Sequence, residues 1–231
     1  MKYVILAVFL TLVPGSERAH GGSEFVDPLV LYPKGLAFDV LRNDEKVGTH
    51  KVRFVRENDG SLRVYSEMTL SVTMLFVPVY GYSYSSEAVW RDGRLSWLRA
   101  VQDDNGEVSS VSVRETGEGL KIIGPENPVV SKVPLFPTNH WHSGVLYVDR
   151  VIDTLSGKIA RVAILDTGQD TISAQGRTVA VRKFVYTGDI NTTVWYDQHG
   201  RWTGMAFNAK GGSRIVYKCV ECGLLRAGTN G

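Results

Sequence analysis

The sequence predicts a mainly β fold: an antiparallel meander that curls into a curved sheet, roll or half-open barrel. Three observations predict it. Residues Leu62 to Phe76 alternate between apolar and polar side chains. Turn-forming pairs recur at short intervals along the chain. A single proline-rich stretch interrupts the series near its middle. Period-two alternation is the signature of a strand with one face on a core, and closely spaced hairpin turns leave room only for antiparallel neighbours.

The alternation is clearest in Leu62, Val64, Met68, Leu70, Val72, Met74 and Phe76, which share one parity broken only by Ser66. Arg63, Tyr65, Glu67, Thr69, Ser71 and Thr73 occupy the other. Beyond Pro78 the pattern resumes with Tyr80, Tyr82, Tyr84, Ala88 and Trp90. Proline donates no ladder hydrogen bond. Two long strands joined near Val77-Pro78-Val79 are therefore expected. Asn58-Asp59-Gly60, Arg91-Asp92-Gly93, Asp104-Asn105-Gly106, Gln175-Gly176 and Gly211-Gly212 mark further turns, because Asn, Asp and Gly tolerate the positive φ of tight hairpins.

Residues 124–158 do not fit the meander. Pro125, Pro128, Pro134 and Pro137 make up half of the eight prolines in the chain, so this stretch is not a central strand. It reads as a crossover, with one or two short helices, between β halves at about 36–123 and 159–219. Thr138 or Asn139 is placed to cap a helix.

The first residues carry an address. Lys2 precedes an apolar run from Tyr3 to Val13, and Pro14-Gly15 ends it. A run of this length matches the core of a secretory signal (~7–15 residues) and is short for a membrane span (~20). Ala19 and Gly21 place small residues at the minus-three and minus-one positions of a cut before Gly22. Residues 1–21 are thus expected to be a signal peptide and residues 22–231 one β-rich domain. No cysteine follows the run, which argues against lipid attachment. The expectation is export, most simply to a Gram-negative periplasm, with no transmembrane segment in the mature protein.

Composition narrows the function classes. The chain has 231 residues, 43% hydrophobic and 22% charged, with a formal net charge of +2. There is no sustained basic run, so nucleic-acid binding has no electrostatic footprint. No nucleophile elbow, phosphate loop or His-Glu-x-x-His motif occurs. No catalytic residues are assigned and no cofactor is expected.

Three groups of residues remain. Cys219 and Cys222 are the only cysteines. In an exported protein they are expected to oxidise to a disulfide that ties off the last strand; a redox pair is the alternative reading. His140 and His142 flank Trp141. In an extended segment both imidazoles would face one way and could share a metal, with Asp149, Asp153, His50 or His199 as further ligands by residue type alone. The simpler reading is that the His-Trp-His segment anchors the crossover. Met68, Met74, Phe76, Tyr80, Tyr82, Tyr84, Trp90 and Trp97, with His140 and Trp141, form a methionine- and aromatic-rich set. They either fill a core or line a cavity for an acyl chain or other apolar ligand.

Several strings resemble a known family. They are Phe38-Asp39-Val40-Leu41-Arg42-Asn43, Val47-Gly48-Thr49-His50, Pro137-Thr138-Asn139-His140-Trp141, Tyr186-Thr187-Gly188-Asp189, Val194-Trp195-Tyr196-Asp197 and Tyr217-Lys218-Cys219. Together they resemble domain-of-unknown-function family six-one-three-four, a group of exported proteobacterial proteins that is similar to family three-one-zero-eight. Thr-Asn-His-Trp and Trp-Tyr-Asp are the most specific parts. The resemblance implies a secreted, β-rich fold without an established activity and supplies no catalytic residues. Its related family is analogous in fold to the half-barrels of bacterial lipoprotein and lipid carriers. The expected function is a periplasmic binding or carrier protein for a lipid or other apolar ligand. A metal- or redox-dependent protein and a structural envelope protein with a protein partner are the alternatives.

Overall fold

A computed structural model describes residues 26–74, 77–209 and 211–224; the side chains of residues 73, 74, 77 and 78 fall outside that description. The expected signal peptide and Phe76 also lie outside the described residues.

A short helix, α1 (Pro28–Leu31), is capped by Asp27, whose carboxylate accepts from the Leu29 amide at 2.9 Å. Seven strands follow: β1 (Leu36–Arg42), β2 (Glu45–Arg56), β3 (Leu62–Met74), β4 (Val77–Arg91), β5 (Arg94–Asp104), β6 (Glu107–Thr116) and β7 (Gly119–Ile123). The proline-rich stretch holds two short strands, β8 (Val129–Ser131) and β9 (Phe136–Pro137), then a 3-10 helix over Ser143–Tyr147 and strand β10 (Arg150–Ile152). The last five strands are β11 (Ile159–Ala174), β12 (Arg177–Gly188), β13 (Thr192–Tyr196), β14 (Trp202–Asn208) and β15 (Arg214–Glu221).

All fifteen strands form one sheet, in the order β8-β7-β6-β5-β4-β3-β2-β1-β15-β14-β13-β12-β11-β10-β9. This is a meander whose first and last strands pair, with Val40 opposite Tyr217. Every pairing is antiparallel except β9 with β10. The mainly β, curved-sheet architecture read from the sequence is therefore the one observed.

The two edges of the sheet are β8 and β9, which are neighbours in sequence. The five residue steps from Ser131 to Phe136 reach at most roughly 18 Å, so the sheet must curl until its edges nearly meet. The 153–158 turn seals the seam. The backbone of Gly124 lies against Ser156 and Gly157, with no room for a Cβ at 124. Gln102 donates to the Leu155 carbonyl at 3.2 Å, and Lys158 pairs with Glu126 at 2.8 Å.

The register sorts the interior into levels. Phe54, Val64, Ala88, Leu98, Val113 and Ile122 lie opposite one another across six strands, and all are buried. The next level is Leu36, Val52, Ser66, Ser86, Ala100 and Val111, again buried but with small residues in its middle. The third is Phe38, His50, Met68, Tyr84 and Gln102, and the fourth Val40, Gly48, Leu70, Tyr82 and Asp104. Burial fades across these two, from Phe38 and Val40, which are enclosed, to Asp104, which is exposed. One end of the barrel is thus a packed core and the other is open.

Cys219 and Cys222 form a disulfide at the end of β15, with Cα atoms 6.2 Å apart and both residues buried. The β11–β12 turn holds the same corner. Gln175 donates its amide to the Cys219 carbonyl at 2.9 Å, and its side-chain oxygen accepts from the Cys222 and Leu224 amides. A loop this short confers about 2 kcal/mol in the chain-entropy account. Replacing both cysteines with alanine is expected to lower the melting temperature by about 4–8 °C. Thermal unfolding followed by circular dichroism checks this, and an unchanged midpoint would remove the disulfide from the stabilising contacts.

Candidate functional site: a cavity above a histidine floor

The open end of the barrel holds a cavity of about 900 Å³. Its walls are apolar side chains of both halves of the sheet, chiefly Leu70, Val72 and Tyr82 on one side and Met205, Phe207 and Ile215 on the other. Arg42, Tyr80, Asp104 and Ser213 line it where β1, β4, β5 and β15 reach the open end. Arg42 donates to Ser213 at 3.0 Å and the Tyr80 hydroxyl donates to Asp104 at 2.7 Å, which orders this mouth.

The crossover supplies the floor. The Tyr196 hydroxyl donates to the His140 carbonyl at 2.7 Å, and the Tyr32 hydroxyl donates to the Trp141 carbonyl at 3.1 Å. The Trp202 amide in turn donates to Tyr32 at 2.8 Å. Trp141 is buried, with its ring 5.2 Å from Phe54 and 5.1 Å from Trp90. These contacts give the two most specific strings a shared physical purpose. Tyr196 of Trp-Tyr-Asp holds His140 of Thr-Asn-His-Trp. Asp197 closes the following turn by accepting from the His199 and Arg201 amides.

Two imidazoles stand at the floor, His50 from β2 and His140 from the crossover. Both flank Trp202, at ring separations of 5.7 and 5.5 Å. Burial pushes the pKa of each down to about 4, and the neighbouring His140 adds to the effect at His50. Nε2 of His50 is 2.7 Å from the Ser66 hydroxyl. Nδ1 of His50 and Nδ1 of His140 are buried and have no hydrogen-bond partner among the described residues.

The structure divides the residues singled out in the sequence. Met68, Tyr80, Tyr82, Tyr84, His140 and Trp141 line the cavity together. Trp90 does not; it is core, buried against Phe136 and Trp141. Trp97 does not either. It pairs with Val89 and sits beside inward-facing Leu98, so its ring is on the outer face among Arg63, Arg91 and Glu57. The side chains of Met74 and Phe76 lie outside the described residues.

The His140–His142 metal pair is not formed. Residues 140 and 141 make a turn rather than an extended strand, so the same-side premise fails. His142 packs between Trp90 and Phe136, at 5.6 and 4.9 Å, and its Nδ1 caps the 3-10 helix by accepting from the Gly144 amide. No group of three or more His, Cys, Asp or Glu able to hold a metal occurs among the described residues.

Sequence reasoning missed the second wall and the role of His50. Trp202 and Met205 have opposite parity yet both face the cavity. Tyr196 lies opposite Trp202 while Trp195 lies opposite Gly204, so Thr203 is an extra residue that reverses the alternation. Local patterning does not announce such a bulge.

The fold and the cavity define a class, the β-barrel-like proteins with an open, apolar interior. The chain belongs to the domain-of-unknown-function family DUF6134, whose family model matches residues 38–220. Among solved structures it is similar to a β-barrel-like protein of domain of unknown function DUF1849 from Brucella abortus. That likeness has a TM-score of 0.55 at 11% identity and covers 81% of this chain and 95% of the other. At that identity it speaks to fold alone. No curated protein matches the chain. No helix among the described residues is long and apolar enough to cross a membrane.

Proposed function

We propose that this protein is an exported binding or carrier protein that takes a lipid or another long apolar molecule into the open end of its barrel. The observation that carries the reading is the cavity of about 900 Å³ walled by Leu70, Tyr82, Met205 and Phe207. That volume falls within the ~300–1,000 Å³ range of small-molecule sites, which combine apolar walls with a few placed polar groups. Methionine suits a wall that adapts to a flexible chain. The buried disulfide suits an oxidising compartment outside the cytoplasm, as does the apolar run behind Lys2.

The test is direct. The mature protein is purified without detergent, extracted with organic solvent, and the extract is examined by mass spectrometry. In parallel, the neutral fluorophore N-phenyl-1-naphthylamine is titrated into the delipidated protein. A co-purified lipid and saturable, competable fluorescence are expected. An empty extract together with no saturable binding would overturn the reading.

A further inference from the structure

The rim of the cavity is uneven. β2 pairs with β3 only as far as Leu70, and β5 with β4 only as far as Tyr82. The Asn105 amide, in the turn after β5, donates to the Gly81 carbonyl at 2.8 Å. Beyond these points β3 and β4 pair only with each other among the described residues. Ser71 lies opposite Gly81, Val72 opposite Tyr80 and Met74 opposite Val77. The three residue steps from Ser71 to Met74 give this two-stranded ribbon a reach of roughly 10 Å past the rim. Its inner side continues the cavity wall, since Val72 and Tyr80 line the cavity together with Leu70 and Tyr82. Val79 is an extra residue in the register between Pro78 and Tyr80, and it stands 48% exposed.

The composition of the ribbon matches its position. No charged residue stands between Glu67 and Glu87, the longest uncharged stretch of a chain that is 22% charged. Proteins commonly blunt a free strand edge with charge, because its unpaired backbone groups pair readily with other chains. The projecting part here carries none. A two-stranded hairpin is also only marginally stable in water by itself.

Resting on the carrier reading above, we infer that the ribbon docks the mouth of the barrel onto a lipid bilayer, with its end in the apolar side of the headgroup region. Continuity with the cavity selects the bilayer. Whatever covers the ribbon also covers the mouth, because Val72 and Tyr80 belong to both. A second copy of the chain or a protein cap would close the entry path. A bilayer leaves it open, being itself the source or the acceptor of an apolar cargo. The reach of the ribbon fits the depth of about 5–10 Å at which interfacial segments lie. Tyr80 and Tyr82 stand at the rim, the residue type enriched where membrane meets water. The ribbon does not span, because its outer backbone groups would have no partner in hydrocarbon. Arg42 and Asp104 give the rim charges of both signs, so the attraction is apolar rather than electrostatic.

The full mature chain is sedimented with vesicles of phosphatidylcholine, and with vesicles that also contain phosphatidylglycerol. Similar binding to both, insensitive to salt, is expected. Val79→Asp is expected to weaken it at least about tenfold, since the carboxylate would have to leave water, and Val79→Leu to retain it. Val79 does not line the cavity, so both variants keep saturable binding of N-phenyl-1-naphthylamine in solution. A label reads the location. The two cysteines of the chain are joined in the disulfide, so Val79→Cys offers a single thiol to a nitrobenzoxadiazole dye. Its emission is expected to shift to the blue on vesicles. The same dye at Val30→Cys is the control, because Val30 is 70% exposed on α1, at the packed end where Tyr32 stacks on Phe54. Saturable N-phenyl-1-naphthylamine binding without vesicle binding overturns the inference and leaves the carrier reading. Vesicle binding without it overturns the carrier reading alone, and absence of both overturns both. Binding that requires phosphatidylglycerol and vanishes in salt overturns the inference, as does binding that Val79→Asp leaves unchanged or an equal shift at position 30. A dimer that Val79→Asp dissolves, with vesicles leaving the dye at position 79 unshifted, overturns it as well.

Discussion

Replacing Trp141 with alanine is expected to lower the unfolding free energy by about 3–5 kcal/mol, the range for a buried tryptophan. Domain stabilities are only about 5–15 kcal/mol, so the loss is a large share of the whole. Its size follows from position. Trp141 is buried where the crossover meets the sheet, with Phe54 and Trp90 against its ring. The small residues Ser66, Ser86 and Ala100 form the level beside it, so few side chains are long enough to refill the space. The cavity above would also deepen, since Trp141 is part of its floor. For a chain of this size the melting temperature should fall by about 6–20 °C. Trp97→Ala is the control, because its half-buried ring lies on the outer face; a change within about 1 kcal/mol is expected there. A Trp141→Ala protein melting within about 2 °C of the parent would show that the crossover does not stabilise the barrel.

The fold was legible because strands declare themselves locally. Alternation from Leu62 to Val72 and the Asp-Gly and Asn-Gly turns mark hairpins by short-range chemistry alone. The pairing of β1 with β15 is different. It joins residues such as Val40 and Tyr217 that nothing in the local pattern connects, and it sets the two cavity walls face to face. Alternation alone likewise does not separate core from cavity, since Phe54 and Leu70 share a parity with their neighbours in both. Register and curvature decide that Phe54 is enclosed by six strands of apolar partners while Leu70 faces open space.

The candidate site was legible in part for the same reason. Met68, Tyr82 and Tyr84 fall on the inner face of one hairpin, and a two-residue period finds them. His50 is alone in its stretch of sequence and becomes notable only when β1, β3 and the crossover place Phe38, Ser66 and His140 around it. The reading of His140 with His142 failed because the backbone turns at 140 and 141. The floor pairs His140 with a residue ninety positions away in sequence.

Acidification should expose the same histidines. His50, His140 and His142 have pKa values pushed down to about 4 by burial, against an ordinary 6.5. The unfolded chain therefore binds protons that the folded barrel refuses. Stability conferred by the neutral rings is complete above pH 6.5, falls as the unfolded state protonates below it, and stops falling near pH 4, where the folded rings also protonate. Each ring would shift the balance by on the order of 3 kcal/mol across that window, a large share of a domain's stability. Asp59, Asp166 and Asp170 also favour the folded state, with pKa values held below 3.8. Their contribution is lost only as pH falls below that ordinary value, so the interval from pH 6.5 to 4.5 belongs to the histidines. The melting temperature is expected to drop steeply through that interval. His140→Asn, which cannot take up a proton there, should flatten the fall by about one proton's worth, roughly 1.4 kcal/mol per pH unit. A melting temperature constant from pH 7 to 4.5 would mean that the floor imidazoles already carry protons or reach water.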